Sequence, residues 1–141
     1  TTKIDLILVD DHDRLRTSLA DFLNSCSGFR VVGTASNGDQ AIELCGQLRP
    51  QVVLMDIRMP GIDGIAATAT IRQRYPDIQV IALTSGLRIE AEAALAAGAS
   101  GYIFKSVSIY ELVDEIRAIY ARNTPQDNQS VSAVLKRNTH T

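Results

Sequence analysis

Cysteine is scarce in this 141-residue chain: Cys26 and Cys45 stand alone, outside any CxxC pair and away from any histidine cluster. A disulfide scaffold or thiolate metal site is therefore not indicated, and both residues read as small core or subsurface side chains in a reducing compartment, the cytoplasm. Long apolar runs are also missing. None approaches the ~18 residues that a membrane span requires, and the N-terminus lacks the apolar core of a signal peptide. Opening on Thr1, the chain is expected to be processed or trimmed. Charge of one sign is lacking too, since a net charge of −2 and a pI near 5.6 argue against a broad nucleic-acid-binding surface. There is no G-x-x-x-x-G-K-[ST] loop, and the turn after the first apolar run carries Asp10-Asp11 where a dinucleotide site needs glycines. No Ser/His/Asp or Cys/His arrangement points to acyl transfer. The length suits one domain with a substantial core.

What is present is organised around Val52-Val-Leu-Met-Asp56-Ile-Arg-Met-Pro60-Gly-Ile-Asp-Gly64. Its uninterrupted apolar start predicts a strand buried on both faces of a parallel sheet. The run ends on a carboxylate, and Pro60-Gly61 turns the chain. Four further strands are expected at Ile4–Val9, Arg30–Ala35, Gln79–Thr84 and Tyr102–Lys105.

Between the strands the periodicity turns helical. Leu15, Leu19, Phe22, Leu23 and Cys26 mark a first helix, closed by Gly28, and Asn37-Gly38 is read as a turn. Ala41, Ile42, Cys45 and Leu48 line a second helix, and Ile65, Ala69 and Ile71 a third. The fourth, about Arg88 to Ala97, is rich in alanine and has only Ile89 and Leu95 as large apolar residues, so little area is available to fix it. Ser108-Ile-Tyr-Glu111 is a capping box opening a fifth helix with a wide apolar face at Ile109, Leu112, Val113, Ile116 and Ile119.

Five strand-helix units predict an α/β domain, a flavodoxin-like (βα)5 doubly wound parallel sheet of strand order 2-1-3-4-5, over residues 1–122. Residues 123–141 are polar, turn-rich and expected to be a linker or tail.

The sheet would bring the chemistry together. Asp10-Asp11, Asp56, Thr84 and Lys105 each end a strand, and parallel strand ends face one way. Strands one and three are neighbours where the winding reverses, so three carboxylates meet in one crevice. Burying such a cluster uncompensated is costly, and a hard divalent cation such as Mg²⁺, bound by oxygens, resolves the conflict. A carboxylate can itself accept a phosphoryl group as an acyl phosphate. Lys105 would then counter phosphoryl charge, and Thr84 could donate to a phosphoryl oxygen. Asp13 and Asp63 read as caps or turn formers, and His12 as a loop residue, because Mg²⁺ prefers oxygen.

Ile7-Leu-Val-Asp-Asp11-His, Val53 to Gly64, Ala82-Leu-Thr84-Ser and Gly98-Ala-Ser-Gly-Tyr102-Ile-Phe-Lys105 stand in the order and spacing of one family. Over residues 4 to about 122 the sequence resembles the response-regulator receiver domain of two-component signalling. The resemblance implies that Asp56 is the phosphoacceptor, phosphorylated by the phosphohistidine of a sensor histidine kinase. It implies Mg²⁺, for which Mn²⁺ can substitute, bound directly by Asp11 and Asp56, by Asp10 mainly through water, and by the backbone carbonyl of Arg58. It also implies a switch pair, Thr84 and Tyr102, that biases a surface on the fourth helix, fifth strand and fifth helix.

Gly98 to Lys105 with Glu111 to Ala118 is similar to the NarL/FixJ-like subfamily, in which a DNA-binding output domain follows the receiver. Thr124-Pro125 and Val131 to Arg137 resemble its connector, so DNA would be reached only through a domain outside this chain, with phosphorylation-dependent homodimerisation as a further expectation. Ser106 departs from the family, where proline often follows the lysine, and the tail is unusually rich in Asn and Gln. A stand-alone regulator acting through protein contacts is the alternative within this class. In another class, a Mg²⁺-dependent aspartyl phosphohydrolase would want a second acid two residues after its nucleophile, and Arg58 holds that position.

Overall fold

All five residues of β3 (Val52–Asp56) are buried, as the apolar run predicts for a strand covered on both faces. The computed structural model describes residues 3–59 and 63–125; the Pro60-Gly61 turn and the connector expected at Val131 to Arg137 lie outside the described residues. Flanking β3 are β1 (Ile4–Val9) and β4 (Gln79–Thr84), with β2 (Phe29–Ala35) and β5 (Gly101–Phe104) at the edges. All pairings are parallel, in the order β2-β1-β3-β4-β5. The flavodoxin-like expectation of order 2-1-3-4-5 holds.

Alternation along the strands divides the core in two. Ile7, Val9, Val53, Met55, Val80 and Ala82 face α2 (Gly38–Leu48), α3 (Gly64–Arg74) and α4 (Arg88–Ala96). Leu6, Leu8, Val52, Leu54, Ile81 and Leu83 face α1 (Asp13–Ser25) and α5 (Ile109–Asn123).

Three helices begin with the side-chain caps that the sequence supplies. Asn37 Oδ1 accepts from Gln40 N–H at 2.9 Å, Asp63 Oδ1 from Ala66 N–H at 2.8 Å, and Ser108 Oγ from Glu111 N–H at 3.1 Å. Asn37 is thus a cap, with Gly38 the first residue of α2, where the sequence suggested a turn. Asp63 caps as expected; Asp13 instead lies in the first turn of α1 and pairs with Arg16 at 2.7 Å. Gly98, at φ 109°, takes the left-handed backbone that ends α4.

The helices are anchored very unequally. Leu112, Val113, Ile116 and Ile119 of α5 are all buried, each contributing roughly 1.5–3 kcal/mol. In α4 only Ala91 and Ala94 are buried. The expected anchors Ile89 and Leu95 are 74% and 45% exposed. The reason is helical geometry: the alanines face the sheet, and Ile89 sits two residues, about 200° of rotation, from Ala91. Leu15, Leu48 and Ile109, also expected in apolar faces, are exposed as well.

Both cysteines are unpaired, and burial pushes the Cys45 thiol up to about 12. The last helix reaches Asn123, one residue past the expected boundary, and Gln79 Nε2 donates to Thr124 Oγ1 at 2.8 Å.

Candidate functional site

Four strands deliver the predicted side chains to one end of the sheet. Asp10 and Asp11 follow β1, Asp56 ends β3, Thr84 ends β4, and Lys105 follows β5. Pairing brings Val9 beside Met55 and Asp56 beside Leu83, so the strands finish nearly level. Asp10, Asp11, His12 and Asp56 each offer a ligand atom, all within 4.8 Å of one another.

Asp56 is fully buried, and its two oxygens differ. Oδ1 lies 2.7 Å from Lys105 Nζ and accepts from Arg58 N–H at 3.1 Å. Oδ2 is buried with no hydrogen-bond partner among the described residues, as are Asp11 Oδ1 and Thr84 Oγ1. Burial raises the Asp56 carboxyl above the ordinary carboxylate value; the Lys105 ammonium and the Arg58 amide oppose this, and the Asp10 charge reinforces it. Among the described residues, two buried oxygens without a partner, Asp56 Oδ2 and Thr84 Oγ1, and Asp11 Oδ1 facing only His12 Nδ1 at 3.2 Å, are an expensive arrangement in isolation. A set of oxygen donors fits a hard cation such as Mg²⁺ better than a thiolate- or imidazole-seeking metal. The crevice reaches solvent at Asp11 and Lys105, whose side chains are 28% and 39% exposed.

His12 lies closer to this chemistry than a plain loop residue would. It occupies the N-cap of α1, and its N–H donates to Asp10 Oδ1 at 2.8 Å. Its Nδ1 lies 3.1 Å from Asp10 Oδ1 and 3.2 Å from Asp11 Oδ1. Arg16, one turn on, donates from Nη1 to the Asp10 carbonyl at 2.7 Å. The sequence signal for Arg16 was only its spacing of three from Asp13.

The remaining predicted residues sit beside the cluster. Thr84 is buried on β4 opposite Phe104 of β5, while Tyr102 pairs with Ala82 and is partly exposed. The Tyr102 and Phe104 rings lie 5.4 Å apart at 47°. The Arg58 guanidinium turns away from the carboxylates and pairs with Glu90 of α4, a partner no local pattern announced.

Comparison with known proteins places the chain in a family. The response regulator receiver domain family matches residues 6–117. Response regulator GacA of Pseudomonas viridiflava is 40% identical over 119 residues, 84% of this chain and 56% of that protein. The chain thus spans about half the length of the curated relatives it matches. Among solved structures, a LuxR-family two-component response regulator from Aurantimonas sp. SI85-9A1 superposes with a TM-score of 0.81 at 31% identity, over 98% of this chain and 99% of that one. The signal receiver domain of the response regulator NarL from Mycobacterium tuberculosis gives 0.80 at 29% identity, over 86% of this chain and 98% of that one. The NarL-like resemblance of the sequence agrees with these neighbours.

Proposed function

Because this chain belongs to the response regulator receiver domain family of two-component signalling, we propose that Asp56 is its phosphoacceptor and that a sensor histidine kinase is the donor. The observation that carries this reading is the asymmetry of Asp56. One oxygen is held by Lys105 and the Arg58 amide, and the other is buried and unpartnered. An oxygen so placed is fixed in direction and has lost its competing water.

Transfer forms a bond between a carboxylate oxygen and phosphorus and breaks the P–N bond of the phosphohistidine. The electron pair leaves on the imidazole, which takes up a proton. Lys105, already on Oδ1, keeps the carboxylate oriented and places its positive charge beside the arriving phosphoryl group. Thr84 Oγ1, which has no partner among the described residues, is the hydroxyl available to a phosphoryl oxygen. Asp10, Asp11 and Asp56, with the Arg58 carbonyl, are the residues that would hold Mg²⁺, or Mn²⁺ in its place. When bound, the ion supplies positive charge that offsets both the carboxylates and the phosphoryl oxygens.

In this reading the protein is a phosphoacceptor that assists its own phosphorylation and dephosphorylation; it is not a turnover enzyme. In the same reading the receiver spans 1–122, with α5 running one residue further to Asn123, and 123–141 is a linker or tail that would connect to an output domain. The greater length of the relatives supports an output domain beyond this chain; DNA contact through that domain and a homodimer formed on phosphorylation belong to the same proposal. Among the described residues no helix is long and apolar enough to cross a membrane, and the proposed compartment is the cytoplasm.

Intact mass spectrometry after incubation with acetyl phosphate and Mg²⁺ tests the proposal. One acid-stable, base-labile phosphoryl group per chain is expected, absent in Asp56→Asn and lost on chelation. Full modification of Asp56→Asn, or modification without divalent metal, overturns it.

A further inference from the structure

Two residues that flank the site bind the same carboxylate. Arg58 lies two positions after Asp56, and its Nε donates to Glu90 Oε2. Ser85 follows Thr84, and both its N–H and its Oγ donate to Glu90 Oε1, at 3.3 Å and 3.0 Å. Glu90 stands in the first turn of α4. One side chain therefore ties α4 to the loops after β3 and β4.

We infer that Glu90 is a positioning residue, a latch that holds α4 in the resting arrangement and is released when the site switches. The inference rests on the phosphoacceptor reading and adds a component outside the phosphoryl site.

Four observations support it. Arg58 touches both ends of the connection, since its N–H donates to Asp56 Oδ1 while its side chain holds α4. Ser85 is covalently next to Thr84, so drawing the Thr84 hydroxyl toward a phosphoryl oxygen pulls on the Ser85 bonds to Glu90. Little else fixes this end of α4, because its N-cap, Leu87, makes no side-chain cap and only Ala91 and Ala94 are buried. Finally, the Glu90 side chain is itself only 13% exposed, held between the more exposed Arg58 and Ser85. Burial pushes its carboxyl up, yet the hydrogen bonds from Arg58 and Ser85 outweigh this and hold it below the ordinary glutamate value.

A latch on the resting state reduces the population able to bind a phosphoryl group. Apparent affinity for a phosphoryl mimic scales with that population. Removing the latch must therefore tighten binding, whereas removing a residue that builds the binding geometry must weaken it.

The test titrates the full chain with beryllofluoride in Mg²⁺, followed by amide NMR, with amide exchange of residues 86–97 measured before addition. Glu90→Gln keeps the shape and removes the charge. Arg58→Ala, a change at an exposed side chain, cuts the same tie from the other end and carries the test if Glu90→Gln does not fold. Each is expected to tighten apparent affinity by about fivefold and to speed exchange in α4. The double variant should gain less than the sum of the two single gains, because the variants share the Arg58–Glu90 link. Unchanged or weaker binding in both variants, or additive gains in the double one, overturns the latch while leaving the phosphoacceptor reading intact. Absence of saturable binding in the wild-type chain overturns both.

Discussion

Lys105 Nζ lies 2.7 Å from Oδ1 of Asp56, yet the lysine is 39% exposed and the aspartate is wholly buried. The pair is one-sided: the cation keeps its water and the anion has lost it. Burial therefore wins over the attraction, and the Asp56 carboxyl stays above the ordinary carboxylate value. Asp56 is better placed to react than to stabilise the fold.

The sign of the pH dependence follows. For an acid whose folded value lies above its unfolded one, the contribution is fully present below the unfolded value and is lost as pH rises through the folded value. At neutral pH an ionised Asp56 thus costs stability. Asp56→Asn should raise the thermal midpoint at pH 7 by a few degrees without added metal, and the gain should shrink toward pH 4. Melts at the two pH values decide this. A mutant less stable than wild type at pH 7, or a gap of equal size at both, contradicts the assignment of burial as the dominant cause.

Gly64 makes a second prediction, this one about close approach. A Cβ there would lie 2.3 Å from the Asp56 carbonyl oxygen and 2.7 Å from Ile57 Cα, both backbone atoms that cannot swing aside. The start of α3 is thereby pressed against the strand end that carries Asp56. Gly64→Ala should cost more than the roughly 1–3 kcal/mol usual for overpacking, because the backbone itself must shift. It should also slow phosphorylation by displacing Asp56. Denaturant unfolding and acetyl phosphate labelling check the two halves. Wild-type stability would mean that the α3 start relaxes freely.

The sequence made β3 legible because an apolar run closed by an acid has few other meanings, and Asn37, Asp63 and Ser108 announced their helices through local cap chemistry. Asp10, Asp11, Asp56 and Lys105 could be placed together because parallel topology alone sends strand ends the same way. The buried face of α4 was not legible. Alanine carries almost no hydrophobic signal, so Ile89 and Leu95 drew the eye to the solvent side. Nor was the Arg58–Glu90 tie, which joins residues 32 positions apart on different units with no periodic pattern between them. His12, read as a loop residue, lies in the loop before α1, and its N-cap position puts Nδ1 within 3.2 Å of two carboxylates, a proximity with no spacing in the sequence to advertise it.

Thr84 carries the last prediction. Its hydroxyl is buried without a partner among the described residues, an arrangement that costs about 1–3 kcal/mol in a folded protein and is kept only where something else uses the group. Thr84 and the Tyr102–Phe104 pair lie on one face of neighbouring strands, with Phe104 directly opposite Thr84. In the proposed switch the hydroxyl moves to a phosphoryl oxygen on Asp56, and α4 responds. Thr84→Ala should therefore still accept one phosphoryl group, melt close to wild type because an unsatisfied polar atom has gone, and show a smaller change in amide exchange at residues 86–97 when beryllofluoride and Mg²⁺ are added. Thr84→Ser, which keeps the hydroxyl and loses only the methyl group, should restore that change. Rescue by serine separates a hydrogen-bonding role from simple packing, since a packing defect would persist in both variants. An undiminished response in Thr84→Ala, or a serine variant as unresponsive as the alanine one, removes the hydroxyl from the mechanism.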